Sequence, residues 1–213
     1  MLNKQKGNMY PWVTHTWNVI KGKCFHDCEY CYMKRFPQKK IRFDEKEMKT
    51  DLGSGNTIFV GSSCDMFAEG LPGYWIIRIL NHTISYPDNT YLFQSKNPQR
   101  FFDHIMPRNV ILATTIETNR DYKVSKAPSV IIRGHAMQKV RTKKMISIEP
   151  ILDFDVDIFL GMLSIIQPDF VSIGADSKGH GLPEPDKEKL EEFITKLKKF
   201  TEVKTKNNLE RLL

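Results

Sequence analysis

Apolar positions fall along this chain in short blocks that alternate between two periods. Thr57-Ile58-Phe59-Val60-Gly61 is a continuous apolar run after the turn signal Gly53-Ser54-Gly55-Asn56, the mark of a strand buried on both faces. The next block, 72–84, carries Trp75, Ile76, Ile79 and Leu80 at helical spacing. The succession recurs. Strands are expected over 13–17, 90–94, 110–115, 144–148 and 169–174. Helices are expected over 98–106, where Pro98 suits a first turn, and over 156–166. A third, over 186–200, sets Leu190, Phe193, Ile194, Leu197 and Phe200 as a stripe against a Lys/Glu face.

Other stretches are less regular. Residues 29–36 begin a short helix that Pro37 ends, and 38–50 is charged and reads as exposed or helical. Residues 118–133 read as a loop with a strand-like piece, Val130-Ile131-Ile132, and 134–141 as weakly helical. Residues 1–12 read as an N-terminal arm and 201–213 as a polar C-terminal tail until Leu209, Leu212 and Leu213. Six strands, each followed by a helix or by a loop leading to one, imply parallel strands with right-handed crossovers. The expected fold is therefore α/β: a partial, open (β/α)6 TIM-type barrel over 13–200, because six units cannot close an eight-unit barrel of about 250 residues.

Composition changes this picture little. Apolar residues at 40% and charged residues at 27% suit a soluble globular domain. No apolar run reaches the roughly 18 residues of a membrane span. The polar start, Met1 to Tyr10, lacks the apolar core of a secretory signal, so a cytoplasmic protein without a membrane partner is the expectation. A formal net charge of +7 admits an anionic partner such as nucleic acid. Arg120, Lys123, Lys126, Arg133, Lys139, Arg141, Lys143 and Lys144 make 118–144 basic, but no aromatic ladder interleaves them. That region reads first as a solvated loop.

The cysteines change it more. Cys24, Cys28 and Cys31 follow the first strand in a C-x3-C-x2-C spacing, and Cys64 stands apart. Three cysteines so close, out of four, argue against a disulfide framework and for a metal or catalytic cluster. A structural zinc site would need His26 or Cys64 as its fourth ligand, and such sites favour two separated pairs. Three thiolates can instead hold a cubane iron–sulfur cluster with one iron left open. Tyr30 and Tyr32 flank Cys31 and would cover that cluster from solvent.

In parallel sheets the chemistry gathers at the C-terminal ends of the strands. There this chain offers Gly61-Ser62-Ser63-Cys64-Asp65, Ser95-Lys96-Asn97 and Thr115-Ile116-Glu117-Thr118-Asn119. The last two ends offer Glu149-Pro150 and Gly174-Ala175-Asp176-Ser177. Singly, each is an ordinary turn or cap. Together they suit a zwitterionic, sugar-bearing ligand: acidic groups for an amine or hydroxyls, Lys96 for a carboxylate, small residues for close approach to an adenine.

With Cys24, Cys28, Tyr30 and Cys31 in a C-x3-C-x-aromatic-C pattern after the first strand, the chain resembles radical S-adenosylmethionine (SAM) enzymes. The resemblance covers about residues 13–200 and implies a [4Fe-4S] cluster on the three cysteines, with SAM on the open iron. It also implies reductive cleavage of SAM to a 5′-deoxyadenosyl radical that abstracts hydrogen from a substrate, with electrons from a donor such as a flavodoxin or ferredoxin. Thr16-Trp17-Asn18, Gly22, Gly61-Ser62-Ser63 with Asp65, Lys96 with Pro98, and Glu149-Pro150-Ile151-Leu152 resemble a phage-associated group of short radical SAM-like proteins. Tyr32, Asp65, Lys96 and Thr115 also resemble the spore photoproduct lyase family, which repairs DNA, and that likeness implies SAM contacts for Lys96 and Thr115.

The chain departs from these families at two points. Gly61-Ser62-Ser63 replaces the familiar Gly-Gly-Glu. Ser62 stands where the lyases carry a hydrogen-donor cysteine, while Cys64 lies one residue before Asp65. Candidate cofactor-binding residues are thus Tyr30, Tyr32, Gly61, Ser62, Ser63, Asp65, Lys96, Thr115, Glu117, Asn119, Glu149, Gly174 and Ala175, with Cys64 a candidate hydrogen donor. Nucleic acid or a nucleotide is the leading substrate class. A lyase-like repair enzyme and a non-catalytic iron–sulfur module for electron transfer or interaction stay open as alternatives.

Overall fold

The computed structural model describes residues 1–37 and 39–213; Gln38, at the head of the stretch expected to be exposed or helical, lies outside them. The strands are β1 (Asn3–Lys4), β2 (His15–Trp17), β3 (Ile20–Lys21), β4 (Arg42–Phe43), β5 (Thr57–Val60), β6 (Thr90–Gln94), β7 (Val110–Thr115), β8 (Lys143–Ile148), β9 (Phe170–Ile173) and β10 (Glu202–Thr205). The helices are α1 (Gly73–Ile84), α2 (Val130–Lys139), α3 (Val156–Ile166) and α4 (Lys187–Leu197). One sheet runs β1-β2-β5-β6-β7-β8-β9-β10, and β3 pairs with β4 in a small antiparallel ribbon. From β2 to β10 every pairing in the large sheet is parallel; β1 joins its edge antiparallel. The sheet ends at β1 on one side and β10 on the other, so the barrel stays open.

The continuous apolar strands read correctly because both faces are covered. Ile58, Val60, Tyr91, Phe93, Leu112, Ile146, Ile148, Val171 and Ile173 face the helices in the main core. Their neighbours Phe59, Leu92, Ile111, Ala113, Met145 and Phe170 turn to the concave side. That is the period of two expected of a strand, with a separate apolar cluster on each face. The concave cluster is completed by Tyr10 and Val13. Trp12 stacks on Tyr10 at 5.4 Å and meets Phe170 edge-on at 5.4 Å.

Several expected elements differ. The six expected strands are present as β2 and β5–β9, and β10 adds a seventh parallel strand in the stretch read as a tail. Its residues Glu202, Lys204 and Thr205 are polar because an edge strand keeps one side in water. A 3-10 turn, Asn207–Leu212, buries Leu209 behind it. The arm is tied down by β1 and by its aromatic residues. Short 3-10 turns at Tyr32–Arg35 and Pro98–Asp103 replace the helices expected over 29–36 and 98–106. The strand-like Val130-Ile131-Ile132 is the first turn of α2, which Ser129 caps by accepting from the Ile132 amide at 3.4 Å. Ile131 and Ile132 are 57% and 47% exposed, so the β-branched run mimicked a strand without burying one.

Candidate functional site

The cysteine loop leaves β3 through Gly22, whose φ of +114° and contacts suit glycine alone: a Cβ would lie 2.6 Å from the Lys40 carbonyl oxygen. The loop is then pinned by the segment between β7 and α2. Glu29 donates its amide to Val124 at 2.9 Å, and the Lys126 amide donates to His26 at 2.7 Å. All four cysteines are free thiols; Cys24, Cys28 and Cys31 are half-buried and Cys64 is buried. Among the described residues, no three His, Cys, Asp or Glu side chains meet in a single-ion site. The neighbouring Cys24 and then burial push the Cys64 thiol up, while Cys64 brings the Cys24 thiol down from its ordinary range.

Asp65 is the clamp of the region. Its Oδ2 lies 2.7 Å from His26 Nε2 and accepts from Ser95 Oγ at 2.9 Å and the Lys96 amide at 2.8 Å; Oδ1 accepts from the Phe67 amide at 2.9 Å. One carboxylate thereby ties the cysteine loop to the ends of β5 and β6. Burial works against its charge, but His26 and the backbone donors outweigh it and keep the carboxyl below its ordinary range.

Above the C-terminal ends of the strands lies a cavity of about 550 Å³. Cys24, Cys28, Cys31 and Cys64 line it, with Tyr30 and Tyr32. Gly61, Ser62, Ser63 and Asp65 form a second stretch of wall, and Lys96, Thr115, Glu149 and Ala175 come from successive strand ends. Tyr32 donates its hydroxyl to the Ser62 carbonyl at 2.9 Å, closing the loop onto β5.

Glu117, Asn119 and Gly174 do not line the cavity. Glu117 is 1% exposed and faces Tyr30, Lys96 and Arg133. Its Oε1 accepts from the Tyr30 hydroxyl and lies 3.4 Å from Lys96 Nζ, while Oε2 lies 3.0 Å from Arg133. Burial opposes the charge on Glu117; Arg133 and then Lys96 overcome it and hold the carboxyl down at about 2. Burial and then Glu117 push Tyr30 up. Asn119 turns to Asp155, donating to Oδ2 at 3.1 Å and accepting from the amide at 2.8 Å. Gly174 backs Glu149 so closely that a Cβ would sit 3.0 Å from its Oε1.

Lys206, Tyr10, Asn8 and His26 also line the cavity and have no counterpart among the candidate cofactor-binding residues. Lys206, from the chain's end, reaches Glu149 Oε2 at 2.7 Å and lies over the Tyr10 ring at 4.8 Å. The Tyr10 hydroxyl lies between Gln94 Oε1 at 2.8 Å and Ser147 Oγ at 2.9 Å, and burial pushes it up. Asn8 donates to Glu149 Oε1 and Ser177 Oγ, both at 3.1 Å. In the sequence His26 reads as a loop residue or as the fourth ligand of a zinc site; its Asp65 partner is 39 positions away. Arg133, grouped by sequence with a solvated basic loop, is buried.

At the rim, Asp27 is shared by Lys23 at 3.5 Å and by Lys34 and Lys126, both at 3.3 Å. One acid among three lysines leaves the surface beside the cysteines positive. No helix among the described residues is long and apolar enough to cross a membrane.

Solved structures of spore photoproduct lyase share this architecture. A substituted form with bound AdoMet and dinucleoside spore photoproduct gives a TM-score of 0.67 at 11% identity, over 94% of this chain and 78% of that one. The lyase complexed with dinucleoside spore photoproduct gives 0.66 at 12% identity, with the same 94% and 78% coverage. At this identity the likeness is one of fold, a mostly parallel α/β sheet with helices, left open. No curated protein sequence matches the chain. Residues 8–185 match a single family from arm to strand ends, and the chain belongs to it: the family described as Protein of unknown function (DUF5131).

Proposed function

We propose that this protein is a radical SAM enzyme whose cavity above the strand ends holds SAM beside an iron–sulfur cluster. The carrying observation is that all three cysteines of the C-x3-C-x2-C loop open onto one cavity walled by polar strand ends. The residues fit such a group. Three free, half-buried thiols on one loop supply soft ligands, while the fourth, Cys64, is buried on a separate strand end. Held by Cys24, Cys28 and Cys31, a [4Fe-4S] cluster would supply the electron for reductive cleavage of SAM to a 5′-deoxyadenosyl radical.

The chain's own residues bind and orient. Lys96 presents an ammonium to the ligand carboxylate, and Thr115, Ser62 and Ser63 offer hydroxyls. Glu149 takes ribose hydroxyls or an amine, while Gly61 and Ala175 allow close approach. Tyr30 and Tyr32 exclude water from the cysteine end. Cys64, buried and facing the cavity, is a candidate hydrogen donor to a substrate radical. The lysines around Asp27 favour a nucleic acid or nucleotide substrate, met through its phosphates. The electron donor is a flavodoxin- or ferredoxin-type protein.

Anaerobic reconstitution with iron and sulfide, reduction, and assay for 5′-deoxyadenosine test the reading. Formation of that nucleoside, lost in Cys24→Ala together with the cluster absorbance, is the expected result. Reduced, cluster-loaded protein that neither binds SAM nor forms the nucleoside would reduce it to a non-catalytic iron–sulfur module.

A further inference from the structure

We propose that Arg133 is a positioning residue: by holding Glu117 it keeps Lys96 available to an anionic group in the cavity. The inference rests on the reading of Lys96 as a carboxylate partner and adds a residue outside the cavity that makes that role workable. Glu117 is buried, so its charge needs cationic partners of its own. It has two, Arg133 at 3.0 Å and Lys96 at 3.4 Å. One carboxylate between two cations leaves one positive charge over. Lys96 lines the cavity and Arg133 does not, so the surplus faces the ligand.

The geometry makes Arg133 the firmer of the two partners. It enters from the first turns of α2, and its guanidinium also donates to the Thr115 carbonyl at the end of β7. A planar fork can serve a carboxylate and a carbonyl at once, which a lysine ammonium does less well. Lys96 is the looser partner, resting over the Tyr30 ring at 5.0 Å. With Arg133 absent, Lys96 would be the sole cation on a buried carboxylate, and the pair would be neutral. A ligand carboxylate would then have to compete with Glu117 for the same ammonium.

The test compares SAM with 5′-methylthioadenosine, which lacks the amino-acid group, by equilibrium dialysis against cluster-loaded protein under anaerobic conditions. In Arg133→Met, SAM should bind roughly 10-fold more weakly, the loss of about one charge-assisted contact, while methylthioadenosine affinity stays unchanged. Glu117→Gln added to Arg133→Met should restore SAM affinity, because the competing carboxylate is gone. Arg133→Lys should fall between wild type and Arg133→Met.

Equal weakening of both ligands, or no rescue by the second substitution, would show Arg133 to be structural only. Unchanged SAM affinity in Arg133→Met would overturn the proposal outright. Should Arg133→Met fail to fold, the double variant and Arg133→Lys still decide: a double variant that binds SAM tenfold worse than wild type rejects the role. Wild-type protein that binds neither ligand would instead sink the SAM reading itself, a result seen before any variant is made.

Discussion

Lys96 and Lys206 stand in one cavity and are built from the same parts. Each lies over a tyrosine ring, at 5.0 Å on Tyr30 and 4.8 Å on Tyr10, and each pairs with a glutamate from a strand end. Their surroundings make them different. Glu117 is buried and carries a second cation, Arg133, so that group holds a surplus positive charge. Glu149 is half-buried and has Lys206 as its close ion-pair partner, with Asn8 at 3.1 Å and Asn208 at 3.4 Å as neutral donors to Oε1. The first group is made by the middle of the chain and sits at the cysteine end. The second is made by the two ends of the chain, the arm and the 3-10 turn behind β10. One suits an anion and the other a neutral, hydrogen-bonding group, and the difference comes from one arginine and a degree of burial.

The sharpest way to break this contrast is to remove one cation from each side. Arg133→Met should destabilise the protein by about 3 kcal/mol in urea unfolding, because a buried carboxylate loses the nearer of its two cations and keeps only Lys96. Lys206→Met should cost less, about 1–2 kcal/mol, since Glu149 keeps water and two amide donors. Equal losses would mean that the two groups are equally buried in solution.

Acid tests the buried group next. Glu117 is held at about 2, below the roughly 4.3 of a glutamate in an unfolded chain. Between those values the unfolded chain binds more protons than the folded one, so stability rises with pH there. The contribution, on the order of 2–3 kcal/mol, is fully present above pH ~4.3 and is lost as pH falls through about 2. Glu117→Gln should flatten the stability–pH curve across that window, as read by chemical denaturation at stepped pH; an unchanged slope would mean that Glu117 is not held in its buried ion pairs.

The neutral group is sensitive to shape rather than charge. Gly174→Ala would set a methyl 3.0 Å from Glu149 Oε1 and Asn208 Oδ1, and should cost about 1–2 kcal/mol with the loss falling on the Lys206 pair. A neutral result would mean that Glu149 is free to move aside. Smallest of all, Asn8→Ala removes two exposed hydrogen bonds and should shift stability by no more than about 0.5 kcal/mol. A larger shift in thermal unfolding would show that the arm is held as firmly as the strands.

Patterns local in the chain were legible. The runs Ile58–Val60, 110–115 and 144–148 read as buried strands because a strand covered on both faces needs apolar residues at every position. The stripe at Leu190, Phe193, Ile194 and Leu197 read as a helix because only one face is buried. The strand-end positions of Lys96, Thr115 and Glu149 followed from the parallel alternation, and all three line the cavity. Glu117 and Asn119 sit on the same strand end as Thr115, yet they turn away from it. Sequence places a residue at a strand end; the twist of the following loop decides where its side chain goes.

By itself, then, the sequence determined the α/β class, the parallel strand order of its middle and the three cysteines grouped on one loop, since each depends on spacing within a few residues. Which side chains face one another depends on long-range packing. Lys206 meets Glu149 across 57 positions, Tyr10 meets Ser147 across 137, and Arg133 leaves a segment that reads as a basic loop to neutralise a buried glutamate. These partners are brought together by the curl of the open sheet, and the sequence carries no local period that records them. The charge of the cavity belongs to that curl as much as to the residues that line it.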